Sequence, residues 1–253
     1  MSNNRKLVKV GAILLISAAG LMLIASIIDT IQSSMRANLS DDVLGLIYIF
    51  QIWCLGVIPS LLIIIGMAML AIFGFRENRA NQSGVPSPWS KRQSLADTIF
   101  ALGRVFAILT LVITHGYMRT LDLSMPSDLN LHHLIANFTN YSIVFFALCL
   151  LVAQVIALFD ASRIKSASLI HGIALAVLLG ISVIGILLFG PVNSLLLSLI
   201  HDIEAYIFAQ NLLSSFLSLF LIAALVVRAT WALTIDRQIT NTTIRDAAPE
   251  MYG

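Results

Sequence analysis

The sequence predicts an all-α integral membrane protein: six transmembrane helices, N-in and C-in, running as three consecutive helical hairpins. Three observations carry that prediction. The chain is 58% hydrophobic and only 11% charged, with a mean hydropathy of +0.93, whereas soluble domains carry about 25% charged residues. Six apolar segments reach the roughly 20 residues that cross a hydrocarbon layer of about 30 Å, at positions 8–28, 47–75, 96–117, 135–159, 168–189 and 206–232. Lipid offers backbone groups no partners, so these segments are helices and not open strands.

The charges between the segments sort by side. Arg5, Lys6 and Lys9, then Arg76, Arg79, Lys91 and Arg92, then Arg163 and Lys165, and from 228 onward Arg228, Arg237 and Arg245 fall on one side. The opposite loops hold Arg36 and Arg119 and collect Asp29, Asp41, Asp42, Asp122, Asp128, Asp202 and Glu204. The positive-inside rule then puts both termini in the cytoplasm and the chain in the plasma (cytoplasmic) membrane. Tyr48, Tyr117, Tyr141 and Tyr206 fall at outer ends, and Trp89 and Trp231 at inner ends, as an aromatic belt would.

Taken in order, the first segment follows basic residues like a signal peptide. Its apolar run of about 19 residues exceeds the 7–15 of a signal-peptide core, so an uncleaved anchor is expected. Ser40 with Asp41 and Asp42 reads as an N-cap whose acids favour the helix dipole. Pro59 is expected to kink the second helix, because its ring removes the bond to Leu55. Ser94-x-x-Asp97 reads as a capping box opening the third. Ser124-x-Pro126 or Ser127-Asp128 starts a helix leading into the fourth. Gly190-Pro191 is expected to end the fifth, leaving 194–204 on the outer surface or dipping back in. Residues 1–233 then form the transmembrane domain and 234–253 a polar cytoplasmic tail.

Helical spacing sorts the polar residues. His133, Asn137 and Asn140 share one face of the fourth helix, and His201, Glu204, Phe208 and Asn211 one face of the sixth. With Gln51 and Gln210 they outline a polar vestibule at the outer end: Gln51, Asn137, Asn140, Gln210 and Asn211. His115, His133, His201 and Glu204 are the weak metal candidates. Zinc or copper needs three or four converging ligands, and the spacing matches no established motif, so no metal site is expected. Arg104, read as two turns in from the inner end of the third helix, is the cation inside a span. It is expected to pair with Asp160 or to snorkel to the inner headgroups.

Cys54 and Cys149 form no redox or metal motif, no span carries a midplane Asp, Glu or Lys, and no catalytic pattern appears. An enzyme, a cofactor and a nucleic-acid partner are therefore not expected. Small residues do recur at four-residue spacing, as Gly172, Ala176 and Gly180 and as Gly56 and Ser60. Such faces let helices approach closely, within the bundle or in a homo- or hetero-oligomer with other membrane proteins in the bilayer. The leading expectation is a non-enzymatic packing or assembly subunit of a larger membrane complex. A small-solute permease or channel with an outer vestibule is the alternative, and a metal- or haem-binding redox protein the second alternative.

Overall fold

The structure is a computed structural model describing residues 3–35, 46–47, 49–80, 91–117, 126–161 and 167–247. The described residues contain helix and no strand. The helices are α1 (Asn3–Met35), α2 (Ile58–Ala80), α3 (Lys91–Tyr117), α4 (Pro126–Ala161), α5 (Ala167–Leu199) and α6 (Ile203–Ala247), with a π-helical turn, Gln51–Val57, leading into α2. Five stretches are long and apolar enough to cross a membrane: Arg5–Gln32, Ile52–Arg79, Lys91–Thr114, Leu169–Leu199 and Ala205–Arg237. In α4 the described apolar stretch is the shorter Asn137–Ala153. Large apolar side chains such as Ile13, Ile24, Leu148, Ile184 and Phe216 lie exposed around the outside. In water they would be a liability; in lipid they are the solvent-matched surface.

Each helix packs on its neighbour in sequence, and α6 returns to α1, so the six close into a ring. The closing contact is antiparallel, because Ser26 meets Ser218 while Thr30, further along α1, meets Ser215, earlier on α6. The start of α1 and the end of α6 therefore share one end of the ring. Between α1 and α2 the approach is close enough to require glycine. A Cβ on Gly11 would sit 3.0 Å from the Gly66 carbonyl oxygen, and one on Gly66 equally close to that of Gly11. At the α3–α4 contact a Cβ on Gly103 would lie 2.8 Å from that of Cys149. Where hydrocarbon surrounds the bundle, such close van der Waals contact is a main source of association. Leu15, Ile63, Leu70, Leu150, Leu179 and Leu225 fill the interior.

Several local expectations are revised. Pro59 is preceded by a π turn, in which the Ile58 N–H donates to the Trp53 carbonyl five residues back. The wider turn accommodates a residue that cannot donate and whose ring crowds the preceding turn. Ser94 is not a cap: α3 already begins at Lys91, so Ser94 lies inside the helix, fully buried. Pro191 does not end α5, which continues to Leu199. A proline forfeits one backbone bond without stopping the helix beyond it. Residues 194–199 are thus the last turns of α5, not a separate surface or re-entrant piece. The break comes at residues 200–202, after which α6 starts at Ile203. The Tyr206 hydroxyl donates to Asn193 Oδ1 at 3.1 Å and ties the two helix ends together.

Pro126 begins α4, where its missing N–H has no intrahelical partner to lose. The boundary expected at 233/234 falls inside α6, which runs unbroken to Ala247 with Ile235 and Asp236 buried. Ser40, Asp41, Asp42, Tyr48 and Trp89 lie outside the described residues.

Candidate functional site

Two features occupy the ring's interior, one above the other. The first lies towards the end that carries the termini. On α3, Gln93, Ser94 and Asp97 are buried, and on α6, Arg228, Trp231 and Asp236 are buried. In a ring of six, α3 and α6 stand opposite, so only a long side chain reaches across. Arg228 does so. Its Nε donates to Asp97 Oδ1 at 2.8 Å and its Nη2 to Oδ2 at 2.6 Å. Both side chains are nearly inaccessible, at 3% and 4%. The paired geometry matches a guanidinium fork to a carboxylate, and the Arg228 guanidinium lies 5.6 Å from the Trp231 ring centroid. Trp231, expected at the lipid interface, is instead fully buried, because its face of α6 points inward. A void of about 20 Å³ beside the pair has room for one water.

The second feature is a partly open cavity of about 340 Å³ further from the termini. Ser218 and Ser214 on its wall precede Arg228 by ten and fourteen residues of α6, roughly 15 and 21 Å of helix. Its walls come from α1, α3, α4, α5 and α6, and are mostly apolar, with Met22, Phe146, Phe189 and Leu217 among them. Four polar side chains line it: Arg104, Ser182, Ser214 and Ser218.

Arg104 is the unusual member. Because α3 begins at Lys91, Arg104 is thirteen residues from each end of the helix and not two turns from one. Its guanidinium lies over the Phe146 ring, 5.7 Å from the centroid. Phe146 and Asp160 are fourteen residues apart on α4, about 21 Å, so Arg104 sits at a different depth from Asp160, whose side chain lies outside the described residues. Among the described residues Arg104 makes no ion pair, and its buried Nε has no hydrogen-bond partner. A cation–π contact contributes about 0.5–2 kcal/mol.

The serines divide by what their protons already do. Ser182 donates to the Leu178 carbonyl at 2.9 Å, and Ser218 to that of Ser215 at 2.7 Å. Ser214 has no such bond among the described residues. Around the cavity the donors left over are therefore Arg104 and Ser214.

The cavity is not the vestibule outlined from the sequence. Asn137 is exposed, and Gln210 and Asn211 are half-buried, but none of the three lines the cavity. The second helix contributes no wall residue. His201 is exposed in the turn between α5 and α6. The side chains of Gln51, His115, His133, Asn140 and Glu204 lie outside the described residues. Among the described residues no group of three or more His, Cys, Asp or Glu could hold a metal ion. The sequence reading missed the Asp97–Arg228 pair, though a signal existed: one acid and one base lie inside apolar stretches, each near an end. Ser182, Ser214 and Ser218 carry no such signal, since isolated serines in apolar helices are common packing residues.

No protein-family model, curated protein or solved structure matches the chain. Any functional reading rests on this geometry.

Proposed function

We propose that the chain is a six-span permease for a small solute, with both termini in the cytoplasm and the plasma membrane as its site. One observation carries the reading: a partly open cavity, lined by a cation with no ion pair among the described residues, lies above the buried Asp97–Arg228 pair. Alternating access places a central site between two gates, and a cavity beside a buried ion pair fits one of its states. The Asp97–Arg228 pair is then the closed gate. The clustering of Arg5, Lys6, Lys9, Arg76, Arg79, Lys91 and Arg92 at the ends of α1, α2 and α3 nearest that gate supports a cytoplasmic assignment for it.

The assembly reading is less well supported, because the small-residue faces that motivated it are used internally. Gly172, Ala176 and Ser60 are buried within the single chain.

Accessibility labelling tests the permease reading in a background with Cys54 and Cys149 replaced. Ser214→Cys should react with a membrane-impermeant thiol reagent added outside. Ala96→Cys, beside the gate, should be protected until Asp97→Asn and Arg228→Gln are combined, and should then react from the cytoplasmic side. An unreactive Ser214→Cys, or an Ala96→Cys indifferent to the gate, would overturn the reading.

A further inference from the structure

We propose that the 340 Å³ cavity is a binding site for a single-chain carboxylate amphiphile, its head paired with Arg104 and its chain against the apolar wall. The inference names the solute class of the permease reading, and rests on that reading only for the claim that the ligand is also carried.

Charge argues first. Arg104 carries a guanidinium and has no anion among the described residues. A charge at that depth is normally paired or in contact with water, so the missing partner is one of the ligand's features. A single guanidinium balances a monoanion. A dianionic phosphate monoester would bring a second negative charge into an apolar cavity with nothing to offset it.

Shape and polarity argue next. Apart from Arg104 and the serines, the walls are aliphatic and aromatic, so a hydrophilic anion alone would leave most of the site unmatched. The volume is at the small end of ligand pockets, which run from about 300 to 1,000 Å³. It suits one acyl chain and not the two of a phospholipid. Donor count agrees: Arg104 offers a fork that fits a carboxylate, and Ser214 one further O–H, while Ser182 and Ser218 already donate to the backbone.

The test uses the full-length protein in nanodiscs of zwitterionic lipid at a pH of about 8, above the carboxyl range and below the arginine range, with binding counted above empty nanodiscs. Decanoate should bind, and decanol and acetate should each bind at least about tenfold more weakly, since each lacks one half of the recognition. Arg104→Gln should weaken decanoate by about tenfold or more, the equivalent of one charge-assisted hydrogen bond, while leaving decanol unchanged. Arg104→Lys should recover part of the loss. Should Arg104→Gln not fold, Ser214→Leu at the cavity wall serves instead. It removes a donor and fills space, and is expected to weaken decanoate by a similar factor.

Decanol binding as tightly as decanoate, acetate doing so, an anionic two-chain phospholipid outcompeting decanoate, or folded Arg104→Gln and Ser214→Leu both binding normally would each overturn the proposal. Decanoate binding without gate-dependent labelling of Ala96→Cys would leave the site standing and remove the permease reading. Gate-dependent labelling without decanoate binding would do the reverse.

Discussion

Arg228 and Asp97 meet across the width of the ring, two hydrogen bonds of 2.8 and 2.6 Å joining helices that are three places apart in a ring of six. Neighbouring helices hold one another by packing along their length. This pair ties opposite walls, towards the end of the bundle where α1 begins and α6 ends.

Breaking the pair should therefore cost more than an average substitution. Asp97→Asn or Arg228→Gln alone is expected to destabilise by about 3–5 kcal/mol, because each leaves a buried partner without its match. Asp97→Leu combined with Arg228→Met should recover most of that, since an apolar pair of similar size removes both charges together. Reversible unfolding in mixed micelles measures all three. Additive losses in the double variant would show that the two residues do not act as a unit.

The α1–α2 contact makes a second prediction. Gly11→Ala or Gly66→Ala places a methyl 3.0 Å from the opposing carbonyl oxygen, and should lower stability by about 1–3 kcal/mol, as overpacking does. Gly20, on the same α1, has nothing within 4 Å of its Cβ position. Gly20→Ala should leave stability unchanged or raise it by up to about 1 kcal/mol, because alanine loses less backbone freedom. The contrast between Gly11 and Gly20 in one melting series decides the point.

Ring closure between α1 and α6 rests partly on hydroxyls. Ser26 and Ser218 are 2.8 Å apart, Thr30 donates to Ser215 at 3.4 Å, and Ser215 donates to the Ser26 carbonyl at 3.3 Å. Interhelical bonds of this kind average about 0.6 kcal/mol in lipid. Ser218→Ala and Ser215→Ala should each cost about that much, and a double-mutant cycle of Ser26→Ala with Ser218→Ala should show coupling of the same order. A loss of several kcal/mol would mean that these hydroxyls do more than join two helices.

Pro59→Ala returns an N–H at the point where the chain widens. The regained bond to Leu55 should let the Gln51–Val57 turn tighten towards α-helical geometry, moving residues 49–50 relative to α2. Spin-label distances from Ile49 to a fixed label at Ile72 would report the change. Unaltered distances would mean that tertiary packing, and not the proline, holds the turn open.

How far the sequence could be read follows from the range of each force. Hydropathy acts residue by residue against a slab of fixed thickness, so the helical class and the long apolar stretches are visible in one dimension. Pro126 opening α4 is equally local, since a missing N–H matters only to its own turn. The local reading fails where a residue has both a local and a distant use. Ser94 and Asp97 make a plausible cap in isolation, yet Asp97 faces a cation more than a hundred residues away. Arg104 looks close to a helix end from the apolar run alone, but the helix begins further back, at Lys91.

By itself, then, the sequence determined an all-helical chain whose apolar stretches are long enough for a membrane, because lipid penalises every unpaired backbone group wherever it occurs. Tertiary structure decided the order of the ring, the pairing of Asp97 with Arg228 and the placing of Arg104 over Phe146. Those depend on how each helix is rotated about its axis and which helix stands opposite. Close packing between glycines and grooves fixes that rotation, and no single helix encodes it alone.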